Sequence, residues 1–202
     1  NRFKLAVVKE IIRHPIGAAI ISLGFIQFYM FFTLLVFFPQ ILDEQYGLTA
    51  TEKGLVFLPL SACIVIGSYF GGRSVEKVKA HNFLVVVASL NVVTIFLSFL
   101  SVTLSFVLVI VCSALFGLFL GLSLPVQTTL LSRTFIHQRA TAVGIYNFFR
   151  FIGIAISPIV GGIIFPRGGG PLLFGCVALA FACCVWFMKT KFAVVKKSSV
   201  DI

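Results

Sequence analysis

The 202-residue chain is 59% hydrophobic, with 24 Phe and a mean hydropathy of +1.12, and only 11% of it is charged; soluble domains carry roughly 25% charged residues. This composition excludes a soluble globular protein and places the chain in a bilayer. The formal net charge of +10 does not point to nucleic acid, because the cations sit in short gaps between apolar runs and form no nucleic-acid motif.

The basic opening, NRFKLAVVKEIIRHP, precedes a long apolar run without a small-residue cleavage site. It reads as a cytoplasmic lead-in to a spanning helix rather than a signal peptide. No Met begins the chain, which suggests part of a longer protein. Crossing a hydrocarbon core takes about 20 apolar residues in a helix. Six stretches meet or approach that length: 16–42, 54–70, 83–102, 106–131, 140–164 and 171–188. The expected fold is therefore an all-α polytopic membrane protein, with residues 1–202 forming a single six-helix bundle. Strands of a β-barrel would alternate strictly over about ten residues, and these runs do not. Pro39, Pro59, Pro125 and Pro158 fall inside or at the edge of spans and favour bends, whereas Pro15 and Pro171 occupy first-turn positions.

An even number of spans puts both termini on one side. Arg2, Lys4, Lys9, Arg13, Arg73, Lys77, Lys79, Arg133, Arg139, Lys189, Lys191, Lys196 and Lys197 share one set of gaps, and only Lys53 and Arg167 occupy the other. The positive-inside rule then makes both termini cytoplasmic. Cys63, Cys112, Cys176, Cys183 and Cys184 lie in apolar runs without metal or redox spacing and read as free thiols.

Catalytic motifs are lacking, so an enzyme is not expected, and neither is a metal or cofactor. His14, His81 and His137 lie in gaps, as do all six acids: Glu10, Asp43, Glu44, Glu52, Glu76 and Asp201. No intramembrane carboxylate is available to carry a proton. The polar residues at membrane depth are Gln27, Asn91, Gln127, Asn147 and Arg150, with Tyr29, Tyr69 and Tyr146 near them. Asn91 reads as interhelical packing, and Gln27, Gln127, Asn147 and Tyr146 as cavity candidates. Arg150 stands apart, because a mid-span arginine costs about 2.5–3.5 kcal/mol and turns to the bundle interior or a wet cavity. Ten residues from Ala140, it lies about 15 Å along the helix. Helical spacing aligns it with Asn147, Gly153 and Ser157.

Around Arg150, Gly144 is followed after eight residues by Gly153, after three by Ser157-Pro158, and after two by Gly161-Gly162. Small residues at 153, 157 and 161 form a groove for a neighbouring helix. The pattern resembles the antiporter signature of the major facilitator superfamily, G-x8-G-x3-G-P-x2-G-G, with Ser157 in place of the third glycine. The stretch GSYFGGRSVEKVK resembles a degenerate copy of that family's cytoplasmic loop motif, with Gly67, Gly71 and Arg73 in matching places and no clean match for its acid.

The resemblance covers nearly the whole chain and lies nearest the drug:proton antiporter branch. A fourth span free of Arg and Lys, together with the basic lead-in and tail, implies the C-terminal six-helix half, whose N-terminal half would be the missing partner. It further implies secondary active transport at the cell membrane by alternating access, with proton-coupled efflux of small amphipathic compounds or drugs as the leading expectation. The alternatives are a truncated or scaffold half without transport of its own, and a facilitator for a small anionic metabolite. A channel is disfavoured, since no filter-like loop or charged ring is visible.

Overall fold

The computed structural model describes residues 2–76 and 79–198; Lys77 and Asp201, placed in gaps above, lie outside the described residues. Helices α1 (Arg2–Arg13), α2 (Pro15–Tyr46), α3 (Ala50–Ser74), α4 (Ala80–Ser101) and α5 (Phe106–Thr134) come first. A 60-residue helical segment, Arg139–Ser198, follows and breaks at Gly168 and Gly169. The break makes two helices, α6 (139–167) and α7 (170–198). The six apolar stretches fall on α2 to α7, with α4 ending one residue short of its stretch at Ser101. The described residues contain no strand.

Local chemistry sets these ends. Pro15 opens α2, where a missing N–H costs nothing, and the Ile16 N–H donates to His14 Nδ1 at 3.3 Å. Gly47 closes α2 at φ 62°, a left-handed conformation that glycine adopts without strain. Thr49 and Glu52 form a reciprocal capping box at the start of α3. Gly169, at φ 61°, lets the chain reverse between α6 and α7.

The reversal is visible in the contacts. Phe149 of α6 lines one cavity with Cys183 and Phe187 of α7, while Phe37 of α2 meets Phe165 and Phe38 meets Phe174. Helix α2 is the hub, packed along both α6 and α7 and touching α5. Helices α3 and α5 pack through reciprocal glycines. Gly67 and Gly71 lie on the backbone at Leu118 and Leu122, and Gly117 and Gly121 on the backbone at Leu60 and Ile64. Gly67 and Gly71, read from sequence as loop-motif positions, are therefore buried inside α3, and the helix continues to Ser74. Arg73 is in its last turn, with its guanidinium carbon 4.7 Å from the Tyr69 ring centroid.

The lead-in is a helix rather than an irregular segment. Its Ile11 is fully buried against the bundle beside Ile16, Phe135 and Ala142, and its carbonyl sits where a side chain on Gly17 would go. Asn91 departs from the expected interhelical glue: it is fully buried, and neither amide atom has a hydrogen-bond partner among the described residues. All five cysteines are free.

Candidate functional site

Four polar residues scattered through the sequence meet between α2, α5 and α6. Ser123 and Gln127 are one turn apart on α5, so both face α2. Gln27 Nε2 donates to Ser123 Oγ at 2.9 Å, and Gln127 Nε2 donates to Gln27 Oε1 at 2.7 Å and to Ser123 Oγ at 3.1 Å. The Ser123 hydroxyl donates to the Leu120 carbonyl at 2.8 Å. From α6 the Tyr146 hydroxyl donates to Gln127 Oε1 at 3.1 Å. Gln27, Ser123, Gln127 and Tyr146 are all fully buried. Gln27, Gln127 and Tyr146, the cavity candidates of the sequence, are thus buried in a hydrogen-bonded network that joins three helices. Interhelical hydrogen bonds in membranes average about 0.6 kcal/mol each.

Arg150 lies one turn beyond Tyr146 on α6, at the edge of this network. It is half-buried, as is Asn147. Its guanidinium carbon is 3.7 Å from the Phe28 ring centroid and 5.2 Å from that of Tyr146. One terminal nitrogen donates to Asn147 Oδ1 at 3.0 Å, while Nε is buried without a partner. A guanidinium carries five N–H donors, so most of its hydrogen-bonding capacity is unspent. Among the described residues the sole ion pair is Lys53–Asp43, which ties the first turn of α3 to the last turn of α2 and does not involve Arg150. Arg150 therefore combines a half-buried, aromatic-backed positive charge with unused planar donors, a geometry chemically suited to a carboxylate or phosphate.

The glycine pattern splits by facing. Gly153 lies on the Phe25 backbone of α2 and Gly161 on the Phe37 ring, and Ser157 Oγ shares a 2.9 Å hydrogen bond with Thr33 Oγ1. A side chain at Gly144 or Gly162 would meet nothing within 4 Å. Pro158 is exposed beside them.

Sequence reasoning missed Gly24, Phe28 and Ser123. Gly24 holds open the space for Tyr146 and Arg150, since a Cβ there would overlap the tyrosine ring and come within 3.2 Å of Arg150 Cγ. The available signals were the four-residue steps Gly24 to Phe28 and Ser123 to Gln127, each defining one helical face.

A family model described as Major Facilitator Superfamily matches residues 20–201. Over 142 residues the chain is 28% identical to the Bacillibactin exporter of Bacillus subtilis (strain 168), covering 68% of this chain and 35% of that protein. It is 26% identical over 122 residues to the D-galactonate transporter of Escherichia coli O6:H1, covering 59% and 28%. With Probable anion transporter 2, chloroplastic, of Oryza sativa subsp. japonica it shares 29% identity over 121 residues, covering 57% and 23%. The matched regions thus span about a third or less of these relatives' length.

Proposed function

The chain belongs to the major facilitator superfamily, and from that premise we propose that it supplies the C-terminal six-helix half of a secondary active transporter of the cell membrane, working by alternating access. Its substrate is a small molecule with an anionic group that docks on Arg150. The half-buried guanidinium with unspent donors and no acidic partner carries this reading. An unneutralised cation inside a bilayer is costly, and an incoming anion repays that cost at the moment of binding. Asn147 holds the guanidinium plane and Phe28 backs it. The enclosed Gln27–Ser123–Gln127–Tyr146 network keeps the supporting helices in register.

The exposed face of α6, with Phe148, Phe151 and Ile159 and the open Gly144 and Gly162, is the surface on which the other half would seat. Both termini are cytoplasmic in this reading. The ends of α3, α5 and α7 and the starts of α2, α4 and α6 gather the basic residues at one end of the bundle.

Counterflow in proteoliposomes with the full-length protein tests the substrate class. Carboxylates, phosphates and sulfonates inside the vesicle should accelerate uptake of a labelled organic anion, and their neutral amides should not. Equal acceleration by the neutral analogues would refute the assignment.

A second reading, proton-coupled export of amphipathic compounds, is favoured by the antiporter-like stretch, three of whose small positions press on α2. A relative bearing the name exporter points the same way. Among the described residues the acids Asp43, Glu44 and Glu52 sit at helix ends and none lies within the apolar stretches, so proton coupling would depend on the other half. Substrate-induced proton flux that persists with uncharged amphipaths would select this reading.

A further inference from the structure

Away from Arg150, helices α4 and α7 leave two grooves along their shared seam. The first, about 670 Å³, lies where α4 begins and α7 ends and is lined by Lys79, His81, Asn82 and Lys189 over Val85 and Phe192. Neither lysine is in an ion pair among the described residues, and His81 Nε2 is buried without a hydrogen-bond partner. The second groove, about 450 Å³, is wholly apolar and lies deeper on the same seam, between Val93 and Phe96 of α4 and Gly175, Ala178 and Ala182 of α7. From Asn82 to Val93 the helix rises about 16 Å, close to half of the ~30 Å hydrocarbon core. A cationic mouth thus opens above a slot of small residues at the depth of an acyl chain.

We propose that the α4–α7 seam is a binding site for an anionic phospholipid, whose phosphate sits among Lys79, His81, Asn82 and Lys189 and whose acyl chain lies in the Gly175–Ala178–Ala182 slot. The paired lysines select negative charge, because an anionic lipid gains about 1 kcal/mol per nearby cation, about fivefold each in affinity. The slot separates a lipid from a free phosphate. The site rests on the fold alone and does not depend on the substrate assigned to Arg150.

Native mass spectrometry of the full-length protein with phosphatidylglycerol, phosphatidylcholine and glycerol 3-phosphate tests it. The wild type should retain phosphatidylglycerol in preference to phosphatidylcholine, and glycerol 3-phosphate should not displace it at equal concentration. Lys79→Gln with Lys189→Gln should weaken phosphatidylglycerol about twenty-five-fold. Gly175→Leu should also weaken it by filling the slot while leaving the fold intact, since a Cβ there meets nothing within 4 Å. Equal retention of the two lipids, displacement by glycerol 3-phosphate, or unchanged binding in either variant would overturn the proposal.

Discussion

Gly153→Ala separates a packing role from a merely compositional one. The added Cβ would lie 2.5 Å from the Phe25 carbonyl oxygen and 3.3 Å from the Tyr29 nitrogen, both backbone atoms that no rotamer change can move. Ordinary contact begins near 3.4 Å, so α2 and α6 must part by about 0.9 Å, enough to forfeit a quarter to a half of each local dispersion contact. The Thr33–Ser157 hydrogen bond, 2.9 Å long in the native seam, would stretch beyond the geometric limit. Overpacking costs about 1–3 kcal/mol and the lost interhelical bond about 0.6 kcal/mol, together roughly 2–4 kcal/mol. Gly162→Ala, in the same pattern but facing open space, should cost nothing within this chain. Thermal unfolding of the two variants in one detergent measures the contrast. A Gly153→Ala protein as stable as wild type would refute the close-packed seam.

Three further outcomes follow from the buried polar groups. Gln127→Leu leaves the buried Tyr146 hydroxyl without its acceptor and should cost about 1–3 kcal/mol in detergent unfolding; a cycle with Gln27→Leu should reveal coupling, because the two side chains share one network. Asn91→Leu should stabilise the protein by about 1–3 kcal/mol in the same assay, since it removes two buried amide atoms without partners. Phe28→Leu removes the ring under Arg150, and substrate titration should show organic anions binding about two- to thirtyfold more weakly, the range of a desolvated cation–π contact.

Much of this architecture is legible in one dimension. Apolar runs of bilayer length locate the spans, and a glycine pattern with an arginine in its midst marks the helix that carries the site. The lead-in helix escapes such reading because its apolar residues, among them Val7, Val8, Ile11 and Ile12, are too few to register as a span, and only tertiary contact buries Ile11. The packing of Gly67 and Gly71 against α5, with Gly117 and Gly121 answering on α3, exists only across two helices and is not legible in either stretch alone. Gln27 and Gln127, a hundred residues apart, look like separate cavity groups. Their mutual hydrogen bond joins α2 to α5, a pairing that no one-dimensional reading contains.

Steady-state transport by Arg150→Gln and Arg150→Lys full-length proteins, with unfolding measured in parallel, tests the proposed role of Arg150 most directly. Both variants should fold, since the guanidinium's recorded hydrogen bond is to Asn147 on its own helix. Loss of a charge-assisted hydrogen bond of about 1.5–3 kcal/mol predicts a fall of roughly ten- to a hundredfold in kcat/KM for an anionic substrate in Arg150→Gln. Arg150→Lys should fall between that variant and wild type, keeping the charge without the planar fork. A well-folded Arg150→Gln protein that transports the anion at the wild-type rate would contradict the assignment of Arg150 as the substrate's receptor.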